Sequence, residues 1–299
     1  MARTEPAAVD TAAPTTTPEP VPPPEETAGR GALAADLRAV RVLWQREVIR
    51  FGRNRLRVAM SAVTPLMFLL ILGTGLNSAL SSQQDSLRDF RAFLFPGVLL
   101  MAVQAPAVAA GASIVWDRQA GFLRQMLVAP VRRSPLLTGT CLGGATAGVG
   151  YGLPILCLGG MVGIPYRPEL VLALMELGLI AFAFTALGVL VAVCAKRPET
   201  FQVVVGLCMM PLLFLSGAVF PAGGLPGWLG TAVMANPLTY AVDALRRTLP
   251  GAGVSGLGTR AASPEWWGWT PPVALEVGLI AALAMAALAV ATYRFSHSE

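Results

Sequence analysis

Six apolar stretches dominate the chain, at about 58–76, 92–115, 136–164, 170–195, 201–220 and 273–293. Each is long enough, at 1.5 Å per residue, to cross a hydrocarbon core of about 30 Å as a helix. Pro65, Pro96, Pro106, Pro154 and Pro211 lie inside them, which lipid tolerates because neighbouring helices re-satisfy the freed carbonyls. The glycines of GGATAGVGYG in the third stretch let another helix approach closely, in the small-xxx-small manner. Ahead of the first stretch, Leu33, Leu37, Val40, Trp44, Val48 and Phe51 recur at spacings of three and four, while Arg38, Arg46, Arg50 and Arg53 project to other sides. This predicts an amphipathic helix over 30–57, lying on the cytoplasmic leaflet with Trp44 at headgroup depth, or packed on a partner protein through the same stripe; the two are compatible. Residues 1–29 are rich in Pro, Thr, Ala and Glu and are expected to form a disordered cytoplasmic tail without a signal peptide. The predicted fold is therefore an all-α polytopic membrane protein whose 58–295 segment is a six-span domain.

Composition agrees. Of 299 residues, 55% are hydrophobic and only 13% charged, with a mean hydropathy of +0.62, against about 25% charged in soluble domains. The net charge of +5 does not indicate nucleic acid, because the arginines cluster beside apolar stretches instead of covering one polar face. They set topology. With both termini cytoplasmic, fifteen Arg and Lys fall on inner segments and six on outer ones. That orientation puts the loop DRQAGFLRQMLVAPVRR inside and the long loop after the fifth stretch outside. Arginine in place of lysine, beside abundant Ala, Gly and Pro, fits a GC-rich bacterial genome, so the expected location is a bacterial inner membrane. Cys141, Cys157, Cys194 and Cys208 all sit in apolar stretches and read as small buried hydrophobes. With no CxxC and one histidine, His297, no metal site is expected.

The inner loop between the second and third stretches carries the most information. Phe122, Leu123, Met126 and Leu127 form an i, i+1, i+4, i+5 apolar edge on a short helix stopped by Pro130. An apolar edge facing water is costly unless covered, by bilayer or by a groove on a cytoplasmic partner. Gly121 to Arg133, GFLRQMLVAPVRR, resembles the Gly-Phe-Leu-Lys-Glu-Met-Leu-Val-Ala-Pro stretch of type-2 ABC exporter permeases of the daunorubicin-resistance branch. Arg124 stands where a basic residue is usual, and Gln125 where an acid is. The resemblance implies that Gly121, Phe122, Leu123, Arg124, Gln125, Met126, Leu127, Pro130, Arg132 and Arg133 form a coupling helix seated on an ATP-binding subunit, with Gln125 removing one salt bridge of that contact.

A second match lies in Phe214 to Arg247. Its NPLTY core reads as a helix start, with Asn236 as N-cap and Pro237 at the first helical position. Arg246 and Arg247 lie near the C-terminal end, where cations are favourable. In the family this region folds as short re-entrant helices near the outer face, which the resemblance extends to Asn236, Pro237, Tyr240, Asp243 and Arg246. Asp243 reads as a surface partner of Arg246 or Arg247 at helical spacing. Glu176 and Glu276 are costly in hydrocarbon; they line a translocation path or hydrogen-bond across a helix interface, Glu276 being near enough the end of its stretch to reach water. Trp266, Trp267 and Trp269 read as an interfacial belt.

A P-loop requires Gly-Lys-Ser/Thr, and the one lysine, Lys196, stands between Ala195 and Arg197. The chain itself is thus expected to hold no cofactor, with ATP and Mg carried by a separate ATPase. A secondary transporter would want midplane ion ligands and internal repeats, and an enzyme a nucleophile elbow or paired carboxylates; neither pattern is present. The resemblance further implies a second permease chain, expected to be an identical copy, and a path for an amphiphile between the two. Spans built of Leu, Ala, Val and Gly, with four Tyr in the chain, favour a hydrophobic drug or lipid over a polysaccharide.

Overall fold

The computed structural model describes residues 28–53, 55–79, 86–121, 133–195, 197–219, 226–252, 263, 264, 266 and 268–297. Apolar stretches must satisfy their backbone groups internally where water is absent, and here they fold as helices. These are α1 (Ala28–Arg53), α2 (Arg55–Ala79), α3 (Ser86–Gln119), α4 (Arg133–Cys157), α5 (Leu170–Cys194), α6 (Pro198–Phe214), α7 (Gly227–Ala235), α8 (Pro237–Thr248) and α9 (Val273–His297). A single bridge between Trp266 and Trp269 is the one strand-like pairing among the described residues.

Among the described residues, five segments are long and apolar enough to span: Val58–Gly75, Phe90–Gln119, Ser134–Val162, Leu170–Cys194 and Val273–His297. They correspond to five of the six predicted stretches. The fifth stretch departs from expectation, because α6 stops at Phe214 after 17 residues and so is about 25 Å long at 1.5 Å per residue. Pro198 occupies its first turn, Leu215 closes its last turn on the Pro211 carbonyl, and Gly217 turns the chain with φ 71°, a conformation open to glycine. The apolar run continues past Phe214, and the next described helices are the short α7 and α8.

The bundle is layered around α3 and α5, whose spans are 72% and 61% buried, whereas α2 and α9 are 17% and 28% buried. Phe95, Leu99, Leu100, Ile155, Leu177 and Phe184 fill the core. Small residues set the spacing: a Cβ on Gly111 of α3 would lie 2.6 Å from the Val189 backbone nitrogen of α5. In α4 the glycine run serves two neighbours. Gly148 and Gly152 face Ala181, Leu177 and Val103, while Gly139, Gly143 and Gly150 face Leu43, Glu47 and Phe51 of α1.

That second face corrects the reading of α1. Val40, Leu43, Glu47 and Phe51 run alongside α4 in parallel, Trp44 Nε1 donates to Thr146 Oγ1 at 2.9 Å, and Phe51 meets Tyr151 edge-on at 5.1 Å. Leu33 and Leu37 are exposed. The stripe therefore splits: its second half is covered by the third span of the same chain, and only its first half is left for lipid or a partner. The cysteine reading also narrows, since Cys141 is buried while Cys157, Cys194 and Cys208 are exposed on the bundle surface.

Candidate functional site

Two regions combine concave space or buried polarity with apolar walls. One is a groove of about 970 Å³ between α2, α3 and α6, lined among others by Thr64, Phe68, Gln104, Gln202, Met209 and Met210. The walls are apolar because all three helices are, and the methionines make them adaptable. Polar groups are sparse; the buried Gln104 Oε1 has no hydrogen-bond partner among the described residues.

The other region surrounds α8 at the end of the bundle where α5 and α9 begin. Asn236 caps α8, its side chain accepting from the Leu238 amide at 3.0 Å and donating from Nδ2 to the Leu212 carbonyl at 2.6 Å. Pro237 is the first helical residue. The cap thus ties α8 to the last turn of α6. The Thr239 hydroxyl donates to the Val233 carbonyl at 2.7 Å, and Tyr240 donates to the Met234 carbonyl at 2.8 Å while accepting from Trp266 Nε1 at 2.9 Å. The helix start read from NPLTY is thus present, and α8 is buried on almost every side.

Burial overturns the surface-pair reading of Asp243, which is 1% exposed. Its partner is Arg247, at 2.6 Å, and Ser263 donates to its other oxygen at 3.0 Å. Arg246 turns away, donating to the Gly217 carbonyl at 2.9 Å with its guanidinium 4.2 Å from the Phe93 ring centre. Arg247 also lies 3.6 Å from Glu276 and donates to the Pro271 carbonyl at 2.7 Å. Glu276 is 0% exposed, so the expectation that it reaches water is corrected: α8 roofs it over. Glu176 accepts from Thr248 at 2.7 Å, which is the helix-interface role. Two carboxylates placed in separate spans by the sequence thus converge with Asp243 on one end of α8. Helical spacing had offered Arg246 or Arg247 as the partner of Asp243, and the structure selects Arg247; Thr248 is the residue that sequence reasoning did not single out.

Trp266 is half-buried against Tyr240, with ring centres 6.0 Å apart. Trp269 stays half-exposed; Trp267 lies outside the described residues.

At the opposite end, α3 closes just before Gly121, whose φ is 71° and whose N–H donates a hydrogen bond to the Arg118 carbonyl at 3.2 Å, a left-handed helix stop. Phe122 to Arg132, which carry most of the predicted coupling segment, lie outside the described residues, and Arg133 begins α4. The segment's flanks are well tied. Arg118 donates to the Ala195 carbonyl at the end of α5, at 3.4 Å, and Arg46 of α1 bridges Asp117 at 3.0 Å and Glu47 at 3.1 Å.

Comparison with known proteins adds the following. Residues 38–249 match the family described as ABC-2 type transporter. The chain is 28% identical over 219 residues to the daunorubicin resistance ABC transporter permease protein DrrB1 of Streptomyces coeruleorubidus, covering 70% of this chain and 74% of that protein. It is 27% identical over 212 residues to nodulation protein J of Rhizobium leguminosarum bv. trifolii, covering 70% and 80%. To the inner membrane transport permease YadH of Escherichia coli K12 it is 27% identical over 214 residues, covering 70% and 81%.

Proposed function

The chain belongs to the ABC-2 type transporter family as a multi-pass permease subunit, and from that premise we propose that it is the membrane half of an ATP-driven exporter of a hydrophobic drug or lipid-like amphiphile, resident in a bacterial inner membrane. The observation that carries this reading is the groove between α2, α3 and α6, mostly apolar, with Arg50, Ser61, Thr64, Gln104 and Gln202 as its polar side chains, and walled by two thinly packed helices. A second copy laid against α2 and α6 turns two such grooves into one path. Few hydrogen-bonding groups line it, as suits an amphiphile and not a sugar polymer. The name of the DrrB1 relative supports drug export, and that of YadH an inner membrane.

Energy comes from a separate ATPase that carries ATP and Mg. Phe122, Leu123, Met126 and Leu127 are its docking edge, flanked by Gly121, Arg124, Gln125, Pro130, Arg132 and Arg133. Motion of that segment reaches the bundle through the flanks already tied to it, Arg118 to α5 and Asp117 to α1. Burying a Phe or Leu side chain is worth about 1.5–3 kcal/mol, and Leu123→Asp also strands a charge in a dry groove. The variant is expected to insert normally but to recover its ATPase at least tenfold less well, at about 1.4 kcal/mol per decade. Pull-down from detergent extracts together with efflux of a panel of amphiphiles tests this: undiminished recovery and undiminished export by Leu123→Asp would remove the coupling role.

A further inference from the structure

A second, smaller cavity of about 310 Å³ lies beneath α1, closed by α2, α3 and α4. Its volume falls at the lower end of the roughly 300–1,000 Å³ typical of small-molecule sites. Ala105, Ala109, Ala110 and Ala147 leave the space open by having no bulk to fill it, and Phe51 and Tyr151 form its aromatic end. Arg50, Ser61, Ala105 and Ala109 line this cavity and the large groove alike, so the two spaces adjoin.

The charges at its mouth are unequal in freedom. Glu47 is 5% exposed at its side chain, and its Oε1 is taken by Arg46 at 3.1 Å, which in turn holds Asp117 at 3.0 Å. Arg46, Glu47 and Asp117 thus satisfy one another. Among the described residues, Arg50 has only a 3.9 Å approach to the other Glu47 oxygen, and its side chain is 58% exposed. A guanidinium has five N–H donors in a fork matched to carboxylate and phosphate. Arg53 follows three residues on, also exposed, and shares this side of the helix. By the distribution of Arg and Lys, α1 enters from the cytoplasmic end of the bundle, and Ala105 and Ala147 lie 14 residues from the ends of α3 and α4 on that side, about 21 Å along each helix, so the mouth opens on the side of the bundle, partway across from the cytoplasmic end.

We propose that this cavity is the loading site for the exported amphiphile, and that the amphiphile bears an acidic headgroup, phosphate or carboxylate, which Arg50 receives while the apolar body lies between Phe51, Tyr151 and the alanines. This rests on the proposed export function and adds to it the charge of the cargo and its point of entry. From the cavity the cargo passes into the groove past the four shared residues. The α4 glycines acquire a role in this account, because the close approach of α1 to Gly143 and Gly150 is what roofs the cavity.

Photolabelling of the purified full chain in phosphatidylcholine nanodiscs tests the site without its ATPase. The probes are dodecyl phosphate and dodecyl trimethylammonium, each carrying a diazirine at the chain end, and labelled peptides are mapped by mass spectrometry. Expected is labelling by the phosphate probe within residues 105–110 and 147–151, at least tenfold above the ammonium probe. Arg50→Gln should reduce it about tenfold, Arg50→Lys should retain most of it, and Ala109→Trp should block it in protein that still elutes as a single folded species. Equal labelling by the two probes, labelling spread along the lipid-facing sides of α2 and α9, or indifference to Arg50→Gln would each overturn the proposal. Phospholipid co-purifying with the chain and displaced by dodecyl phosphate supports the site; a phospholipid that dodecyl phosphate never displaces makes it a structural lipid position and overturns loading. Site-specific labelling in a chain whose assembled complex exports no amphiphile would overturn the export function and leave the cavity assignment standing.

Discussion

Arg247 decides the electrostatics at the end of the bundle that holds α8. It touches Asp243, Glu276 and the Pro271 carbonyl, while Arg246 spends its charge on Gly217 and Phe93. Arg247 keeps part of its side chain in the open while Asp243 and Glu276 are buried, so removing the cation strands two buried carboxylates, whereas removing all three charges is closer to neutral. Arg247→Ala is therefore expected to lower the thermal midpoint of the solubilised protein strongly, and Arg247→Ala combined with Asp243→Asn and Glu276→Gln to recover most of the loss. Glu276→Gln alone should leave the midpoint unchanged or raise it, since both Glu276 oxygens lack a hydrogen-bond partner among the described residues. Thermal-shift measurements on the four proteins check this; a marked loss from Glu276→Gln alone would mean that its carboxylate holds α8 in place. The same residues show what sequence pattern omits. Asp243 and Arg247 are visibly one helical turn apart, but nothing in their spacing says that α5 and α9 deliver Glu176 and Glu276 to the same place.

Among the elements, α3, α4 and α5 are fixed by close backbone approach, while α6 and α9 carry glycines that touch nothing. A methyl group on Gly111 would meet backbone at 2.6 Å, whereas Gly206 and Gly278 have nothing within 4 Å. Backbone cannot rotate aside as a side chain can, and overpacking of this sort costs about 1–3 kcal/mol. Gly111→Ala should accordingly destabilise the bundle, and Gly206→Ala and Gly278→Ala should be neutral or stabilising by up to about 1 kcal/mol through helix propensity. Comparing the three single variants by thermal shift is sufficient; equal effects would show that the α3–α5 crossing is slack. The third stretch announced close packing through its glycines, yet the sequence could not say that alternate glycines serve α1 on one side and α3 and α5 on the other. Nor did the stripe of α1 reveal its partner. Glu47, a charge one turn beyond Leu43 on the buried side, was the residue that marked a protein partner in place of lipid.

For the whole molecule, orientation follows from the arginine distribution, and it governs both the coupling segment and the loading cavity. In a background freed of cysteine, Arg132→Cys and Gly256→Cys should differ towards an impermeant thiol reagent on intact cells, with position 256 labelled and position 132 protected until the membrane is opened. The reverse pattern would invert the orientation and have α1 enter from the outer end.

The sequence by itself determined that this chain is helical, that it carries six apolar stretches of membrane-spanning character, where α8 begins, and which family it resembles. Those properties are local: hydropathy over about twenty residues, a cap with a following proline, or an ungapped motif is complete within one segment of chain. Only the tertiary structure decided that α6 is cut short by the turn at Gly217, that α1 lies on α4, that Arg247 reaches the buried Asp243 and Glu276 beside half-buried Glu176, and that a cavity remains beneath α1. Each of these depends on which helix faces which. In lipid the outer sides of the spans are as apolar as the inner ones, so hydropathy cannot tell a residue that meets a neighbouring helix from one that meets the bilayer.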